Sequence, residues 1–232
     1  MTTIEANLQA QRQRLALACQ RAGRDGPAVR LLAVSKTFDA AAVAEAVAAG
    51  QTAFGENYIQ EGVDKILALA ASPAPLEWHC IGPVQSNKTR LVAEHFDWVQ
   101  SVDRLKIAQR LNEQRPAQLP PLQVCLQVNV DGGLNKSGVA PAELAELATA
   151  VAALPRLRLR GLMFIPEPAP DEAAMRAVFA DCKSVFDGLV AQGLPLDTLS
   201  IGMSDDLEAA VAAGSTMVRV GRGVFGARPP KA

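Results

Sequence analysis

The feature of this sequence that most limits its fold is an alternation of short apolar runs with longer segments of helical spacing. The runs are rich in β-branched residues, and six of the nine residues from Leu122 to Val130 are apolar. Runs of this kind are typical of parallel strands that are covered on both faces. Eight candidate strands occur, at Leu31 to Ser35, Ala53 to Gly55, Glu77 to Ile81, Trp98 to Val102, Leu122 to Val130, Leu157 to Phe164, Thr198 to Ile201 and Met217 to Val220.

The segments between the strands carry start and stop signals for helices. Residues placed as N-caps are Asp39, Ser86, Asp103 and Ser204, and glycines placed just past helix ends are Gly50, Gly193 and Gly214. Eight strand and helix units without an intervening linker predict an α/β protein with a single (β/α)8 barrel over residues 1–232. An open doubly wound sheet, which uses fewer strands, is the alternative.

Composition excludes several classes of protein. The net charge of −1 comes from interspersed acidic and basic residues, so no basic face for nucleic acid is expected. No apolar stretch approaches the roughly 20 residues of a membrane span. Residues 1–24 carry charges at intervals, which predicts an amphipathic helix in addition to the barrel rather than a secretion signal. The four widely spaced cysteines form no CxxC pair, which favours the reducing cytoplasm over a disulfide framework.

Reactive groups of barrel enzymes lie where the strands end, so the residues that follow each strand are the candidates for chemistry. Lys36 ends the first apolar run, and its ammonium is expected to emerge from a buried strand into the mouth of the barrel. Desolvation there would lower the lysine pKa and leave a nucleophilic amine, which Schiff-base formation requires. The alternative is a lysine that extends to solvent, and position alone leaves both interpretations open.

Two segments near the C-terminus predict a phosphate site. SIGMSDD, from Ser200 to Asp206, joins a strand to a glycine turn and a serine, and GRG, from Gly221 to Gly223, lets backbone amides approach an anion. They follow the seventh and eighth strands, whose loops commonly bind phosphate in barrels. Asp205 and Asp206 would weaken anion binding unless they point outward. Arg222 would offset their charge, or it is a surface cation.

The other polar residues suggest less. Two histidines, His79 and His95, cannot build a two- or three-histidine metal site, because they lack the HxxxH or HxxE spacing. His79 is expected to face the mouth or to pack in the core. The glycine-rich segment from Asn129 to Gly138 lacks the GxGxxG dinucleotide motif and predicts a flexible polar loop over the mouth, with Asn135, Lys136 and Ser137.

Six motifs occur in order along the chain: LLAVSKT, FGENYIQE, WHCIGPVQSNK, NKSG, RGLMFIPEP and SIGMSDDLEAAVAAGSTMVRVG. Together they resemble those of the pyridoxal phosphate homeostasis proteins, which share the N-terminal barrel fold of alanine racemase. The resemblance extends from about Leu31 to Arg228, nearly the whole chain.

The resemblance implies that Lys36 carries pyridoxal 5′-phosphate (PLP) as an internal aldimine, with the phosphate held by Ser204 and the backbone around Gly221 and Arg222. It further implies that Arg219 faces the pyridine nitrogen, and that the pocket is lined by Asn57, His79, Met163, Ser200 and Met203. This sequence departs from the family at Arg222, where a small Thr or Ser is usual. A hydroxyl contact to the phosphate is therefore in question, whereas backbone and guanidinium contacts remain available.

A racemase of this fold needs two acid-base groups on opposite faces of the cofactor, typically the lysine and a tyrosine from a second domain. The one tyrosine, Tyr58, follows the second strand, and no second domain is expected after the eighth. A donor-only arginine opposite the pyridine nitrogen keeps the ring neutral and a poor electron sink. The resulting hypothesis is a non-catalytic protein that buffers PLP or delivers it to apo forms of PLP-dependent enzymes, with indirect effects on amino-acid and keto-acid metabolism.

Two alternatives remain at this point. The first is a PLP enzyme such as a weak amino-acid racemase, which would turn over amino acids through Lys36. The second is a phosphate-sugar barrel enzyme that uses Lys36 for an aldolase-type Schiff base, and a purified protein without a coloured cofactor would favour it.

Overall fold

The structure, a computed structural model, describes residues 2–131 and 137–227, apart from the side chain of Pro27. Eight strands lie at the eight predicted places. The fifth ends at Val128, two residues before the predicted end, and the other boundaries agree to within one residue. The strands are β1 (Arg30–Val34), β2 (Ala53–Glu56), β3 (Glu77–Cys80), β4 (Trp98–Val102), β5 (Leu122–Val128), β6 (Leu157–Phe164), β7 (Thr198–Ser200) and β8 (Met217–Val220).

The strands form a closed parallel barrel in chain order, which confirms the predicted fold and excludes the open sheet. Closure depends on β8, which pairs with β1 from Arg30 opposite Met217 to Ala33 opposite Val220. Because all strands run in the same direction, the residues that follow them meet at one end of the barrel, its mouth.

Helices cover the outside of the barrel. They are α1 (Thr3–Arg21), α2 (Ala40–Ala48), α3 (Ile59–Ala68), α4 (Thr89–His95), α5 (Leu105–Gln114), α6 (Pro141–Ala152), α7 (Glu172–Ala191), α8 (Leu207–Ala212) and α9 (Arg222–Phe225). The predicted N-terminal helix is α1, whose buried face consists of Leu8, Leu15, Ala18 and Cys19. Short 3-10 turns lie at Gly26–Ala28 and Ser86–Lys88.

The predicted helix ends are confirmed more often than the predicted starts. Asp39 caps α2 by accepting the N–H of Ala42 at 2.9 Å, and the three predicted glycines follow their helices with positive φ. Ser86, Asp103 and Ser204 were wrong as caps of α-helices. The chain first makes a 3-10 turn at Ser86, and the other two helices begin later than predicted, at Leu105 and Leu207.

The core has two parts. The larger part lies between strands and helices and includes Phe54, Phe96, Phe164 and Phe179. Alternate residues of the strands face the barrel interior, where two smaller clusters are centred on Leu32 and on Trp98. Polar side chains that are almost fully buried share this interior: His79, Gln100, Ser200 and Arg219. Buried polar groups of this kind require hydrogen-bond partners, and these four have them.

Across the described ranges, none of the helices combines the length and the apolar character needed to cross a bilayer. Within the same ranges, no group of three histidine, cysteine, aspartate or glutamate side chains is arranged to hold a metal ion. All four cysteines are buried.

Candidate functional site

A pocket of about 210 Å³ opens at the mouth, between the ends of β1, β2, β3, β6, β7 and β8. Of the predicted site residues, the pocket is lined by Lys36, Asn57, Met203, Ser204, Arg219, Gly221 and Arg222. Val34, Ile81 and Ile165 supply an apolar part of the wall. A larger groove of about 760 Å³ lies outside the barrel, between α1, α7 and α8, and none of the described lysines lines it.

Three predicted site residues lie below the pocket instead of lining it. His79, Met163 and Ser200 are fully buried in the barrel interior. Met163 packs with Trp98 and Cys125, and the His79 ring stacks on Trp98 with 5.0 Å between ring centroids. These side chains therefore support the floor of the pocket from beneath.

Lys36 follows a strand end that buried polar groups hold in place. The N–H of Ser35 donates to the carbonyl of Gly55 at 3.0 Å, and its hydroxyl donates to Glu56 Oε1 at 2.6 Å. The Ser35 carbonyl accepts a hydrogen bond from Lys65 Nζ at 2.8 Å, and Lys65 also pairs with Glu56 at 2.7 Å. Burial raises the pKa of Glu56, although its contacts with Lys65 and Ser35 act in the opposite direction.

The residue after Lys36 has an unusual backbone conformation. Thr37 has φ of +70°, in the left-handed region that a β-branched residue rarely adopts. Its N–H donates to Glu61 Oε2 at 3.2 Å, and the next N–H, of Phe38, returns to the Ser35 carbonyl at 3.1 Å. Such strain persists only where the surroundings over-determine it. The turn thus fixes where the Lys36 side chain leaves the strand.

Two other strand ends are shaped by glycines. A Cβ on Gly82 would lie 2.1 Å from the carbonyl oxygen of Asn57, so only glycine allows the loops after β2 and β3 to approach this closely. Gly202 has φ of +95°, and a Cβ there would meet the Ala210 side chain at 2.4 Å. These approaches place Asn57 and Met203 at the pocket.

The loops after β7 and β8 meet at the side of the pocket next to Ser204 and Gly221. In α9, which begins at Arg222, the N–H groups of Val224 and Phe225 donate to the Gly221 carbonyl at 2.9 and 3.0 Å, so the N–H groups before them are those that a helix start leaves for an external acceptor. Asp206 turns back into its own loop and accepts the N–H of Met203 at 2.5 Å. Asp205 pairs with Arg222 at 2.7 Å, and both side chains are exposed. Asp206 is thereby held within its own loop, whereas Asp205 still lines the pocket with its charge offset by Arg222.

Arg219 forms the floor of the pocket. Its Nη1 donates to the carbonyl and to the hydroxyl of Ser200, both at 2.8 Å, and Nη2 donates to the carbonyl of Phe164 at 2.8 Å. Burial lowers its pKa to about 10, a value at which the guanidinium is still charged at neutral pH. The pocket therefore has an amine on one wall, a cation at its floor and backbone N–H groups at one side.

Comparison with known proteins shows to which family a chain with this arrangement belongs. The model of the alanine racemase N-terminal domain matches residues 6–229. The pyridoxal phosphate homeostasis protein of Pseudomonas aeruginosa is 60% identical over 228 residues, which cover 98% of this chain and 97% of that protein. The protein of the same name from Escherichia coli is 56% identical over 229 residues and covers 98% of both chains.

The chain belongs to the pyridoxal phosphate homeostasis protein family.

A solved structure of a relative carries the cofactor. PipY of Synechococcus elongatus, in its structure with PLP bound, has a TM-score of 0.85 and 39% identity, and the match covers 97% of this chain and all of that one. Alanine racemase of Clostridium difficile has a TM-score of 0.72 at 16% identity, with 95% of this chain and 57% of the racemase covered. The racemase likeness shows a shared fold only.

Sequence reasoning missed several residues that shape this site. Lys65 and Glu56 hold the strand end before Lys36, and one available signal is that Lys65 lies at the edge of the apolar face of α3, next to Gly62 and Leu69 at helical spacing. Arg14 of α1 donates to the carbonyl of Ser204 at 2.5 Å and binds Glu208 with two hydrogen bonds. No local pattern indicates a contact between residues so far apart in the chain.

The loop predicted over the mouth lies only in part within the described residues. Asn135 and Lys136 fall outside them, so their predicted place over the pocket stays a prediction. Ser137 is described, and its carbonyl accepts a hydrogen bond from Gln127 Nε2 at 3.2 Å.

Proposed function

We propose that this protein binds PLP covalently through Lys36 and serves as a non-catalytic carrier of the cofactor in PLP homeostasis. The observation that carries the proposal is the convergence of Lys36, Arg219 and the loops after β7 and β8 on one pocket. Family membership and the PLP-bound structure of PipY support it.

The residues present suit each chemical part of PLP. When bound, the cofactor supplies an aldehyde that condenses with a primary amine, and among the described lysines Lys36 lines the pocket. Backbone N–H groups at Gly221 and Arg222, together with the Ser204 hydroxyl, suit a phosphate. Asn57 Oδ1 is buried at the pocket and accepts no hydrogen bond from residues 2–131 or 137–227, as expected where a ligand donor belongs.

Arg219 is assigned to the pyridine nitrogen. A guanidinium only donates hydrogen bonds, so it would leave that nitrogen unprotonated and the ring a weak electron sink. The residues that line the pocket include no tyrosine, and Tyr58 lies at the start of α3 with half of its surface exposed. These features support a carrier over a racemase, although racemases share the fold.

One experiment decides the cofactor and its attachment. The purified protein should be yellow or become yellow with PLP, and borohydride should bleach the visible band and fix the label. Trypsin should then fail to cleave after Lys36 and release a labelled peptide of residues 31–65. A colourless protein that stays colourless with PLP, or a label on another lysine, would end the proposal. The control is Lys106→Ala, which removes an exposed lysine of α5 instead of Lys36 and should label as the wild type does.

Two further measurements test the finer parts. Ser204→Ala should weaken retention of PLP about tenfold, because one hydrogen bond to a charged group is lost. Unchanged retention would remove Ser204 from the phosphate site. Racemisation or transamination of amino acids by the PLP-loaded protein, abolished in Lys36→Ala, would replace the carrier assignment by an enzymatic one.

The cellular role follows from a pocket that holds PLP without consuming it. We propose that apo forms of PLP-dependent enzymes receive the cofactor, and that the protein acts in the cytoplasm, where buried thiols such as Cys80 and Cys125 stay reduced. Transfer is testable by mixing the loaded protein with an apo-enzyme and following recovery of that enzyme's activity. A recovery rate equal to that of free PLP in the same amount would argue against delivery.

A further inference from the structure

A series of hydrogen bonds crosses the barrel interior beneath the pocket, and we call it the interior chain. Its links are Arg219 Nη1 to Ser200 Oγ at 2.8 Å, Ser200 Oγ to Gln100 Oε1 at 2.7 Å, Gln100 Nε2 to His79 Nδ1 at 2.9 Å, and His79 Nε2 to Glu77 Oε1 at 2.7 Å. Five strands or strand ends contribute, because Arg30 of β1 binds the same Glu77 oxygen at 2.6 Å. Gln100 stands in the middle and is fully buried.

The two ends of the interior chain fix its direction. Arg219 can only donate, so the Ser200 hydroxyl accepts from it and sends its own hydrogen to the oxygen of Gln100. The amide nitrogen of Gln100 then faces the His79 ring and donates to Nδ1. Nε2 of His79 must therefore carry the hydrogen and donate to the Glu77 carboxylate. Every link agrees with a neutral imidazole in a single tautomer.

The opposite orientation of the Gln100 amide would require one more proton on the His79 ring. If the amide oxygen faced His79, Nδ1 would need a hydrogen, and Nε2 would still need one for Glu77. The ring would then be a buried cation, and burial opposes that charge because it lowers the pKa of His79. The groups around the ring are Glu77, Gln100 and the Trp98 face, with Arg30 behind Glu77. The orientation of one amide is thus tied to the protonation of the histidine.

We propose that Gln100 is a positioning residue for Arg219, held by His79 on one side and holding Ser200 on the other, so that the guanidinium at the pocket floor keeps one orientation. The assignment of Arg219 to the pyridine nitrogen rests on the proposed function. The direction of the interior chain does not, since it follows from the protein alone.

The first test needs no cofactor. The sequence has only two histidines, so protein labelled with ¹⁵N-histidine gives two sets of ring signals, and His95 provides the reference set. His79 should show an unprotonated Nδ1 and a protonated Nε2 at neutral pH. A protonated Nδ1, in either the other tautomer or the cation, would overturn the assigned direction.

A substitution two links away makes the test specific. In Ser200→Ala the oxygen of Gln100 loses its donor, so the amide can turn and the His79 tautomer should no longer be single, although Ser200 does not touch the ring. Ser215→Ala is the matched control, because Ser215 is equally buried but donates only to backbone carbonyls outside the interior chain. Unchanged His79 signals in Ser200→Ala would refute the coupling.

The cofactor test uses two ligands and one further variant. Gln100→Leu should weaken binding of PLP about tenfold, because a hydrogen bond to the charged Arg219 loses its support. Binding of the 1-deaza analogue, whose ring has C–H in place of the nitrogen, should change much less. Equal losses for both ligands would contradict positioning through Arg219. A protein with the expected His79 tautomer that takes up no PLP would refute the proposed function while leaving the interior chain intact.

Discussion

The polar groups behind the strand end before Lys36 and those at the rim of the pocket are built in opposite ways. Behind the strand end, Lys65 and Glu56 form an ion pair whose side chains are 7% and 0% exposed, and Ser35 bonds to both partners. At the rim, Arg222 and Asp205 pair at the same distance of 2.7 Å, but their side chains are 68% and 80% exposed. Two pairs of equal length thus lie in very different surroundings.

The contrast separates stability from binding. A buried charge that loses its partner is costly, because water cannot replace that partner. An exposed pair contributes little, since both charges remain solvated. Loss of the buried Lys65–Glu56 pair should therefore mainly alter the free energy of unfolding, whereas changes at the rim should mainly alter ligand affinity. The following substitutions test that division, starting with the largest effect.

Lys65→Met should lower the free energy of unfolding by about 3–5 kcal/mol, because Glu56 is left buried and unpaired. The measurement is urea unfolding followed by circular dichroism. The double variant Lys65→Met with Glu56→Gln should recover much of the loss, since it removes the unpaired charge. Equal destabilisation of the single and double variants would show that packing, and not the charge, makes this region sensitive.

Arg14→Gln tests a contact from α1 that supports the rim from outside. Arg14 holds the Ser204 carbonyl and Glu208, so its loss should weaken PLP binding by about 1–1.5 kcal/mol, close to tenfold. Binding of pyridoxal, which lacks the phosphate, should hardly change. Arg12→Gln is the matched control, because Arg12 lies on the same helix but binds the Ala49 carbonyl and Gln51. Parallel losses for PLP and pyridoxal would point to general loosening of the barrel.

Because of His79, the free energy of unfolding should depend on pH. Its folded-state pKa lies below the ordinary value of 6.5 because the ring is buried, so the unfolded chain binds a proton that the folded chain does not. Stability contributed by neutral His79 is present above pH 6.5 and falls as the pH is lowered, by at most about 1.4 kcal/mol per unit. The advantage of wild type over His79→Gln in urea unfolding should therefore shrink between pH 7.5 and 5.5. An advantage that grows on acidification would reverse the sign, and His95→Gln supplies the reference slope.

A feature of this fold can be predicted from the sequence when residues close together in the chain determine it. Features that depend on residues far apart in the chain cannot. Strand positions and the glycines after α2, α7 and α8 are set by a few neighbouring residues, and these predictions were confirmed. Ser204 was wrong as a helix cap, because the Asp206 side chain bonds the Met203 N–H and α8 begins three residues after the serine.

The candidate site also has residues that the sequence predicts and residues that it does not. Residues directly after strands, such as Lys36 and Gly221, meet at the pocket because parallel strands end together. Whether Ser200 or His79 faces the pocket or the interior depends on barrel tilt and register, which a sequence pattern does not carry. Contacts such as Arg14 with Ser204 or Ser200 with Gln100 arise only when the barrel closes.

Of these substitutions, Asp205→Asn should have the smallest effect on the free energy of unfolding. Unlike Arg14→Gln, it should strengthen the binding of PLP. The Asp205 and Arg222 side chains are largely exposed, so the free energy of unfolding should change by less than about 0.5 kcal/mol. PLP should bind a few-fold more tightly, because a carboxylate that lines the pocket is neutralised and Arg222 is released toward the phosphate.

The salt dependence identifies the cause of that gain. If repulsion between Asp205 and the phosphate limits binding, the advantage of Asp205→Asn should be largest in dilute buffer and shrink as ionic strength approaches 1 M, where the screening length falls to about 3 Å. Asp187→Asn, at an exposed aspartate of α7 that pairs with Lys183, is the control for a change in net charge. Weaker binding by Asp205→Asn would mean that Asp205 orients Arg222 for the ligand, and the rim would then resemble the strand end before Lys36 in needing its ion pair.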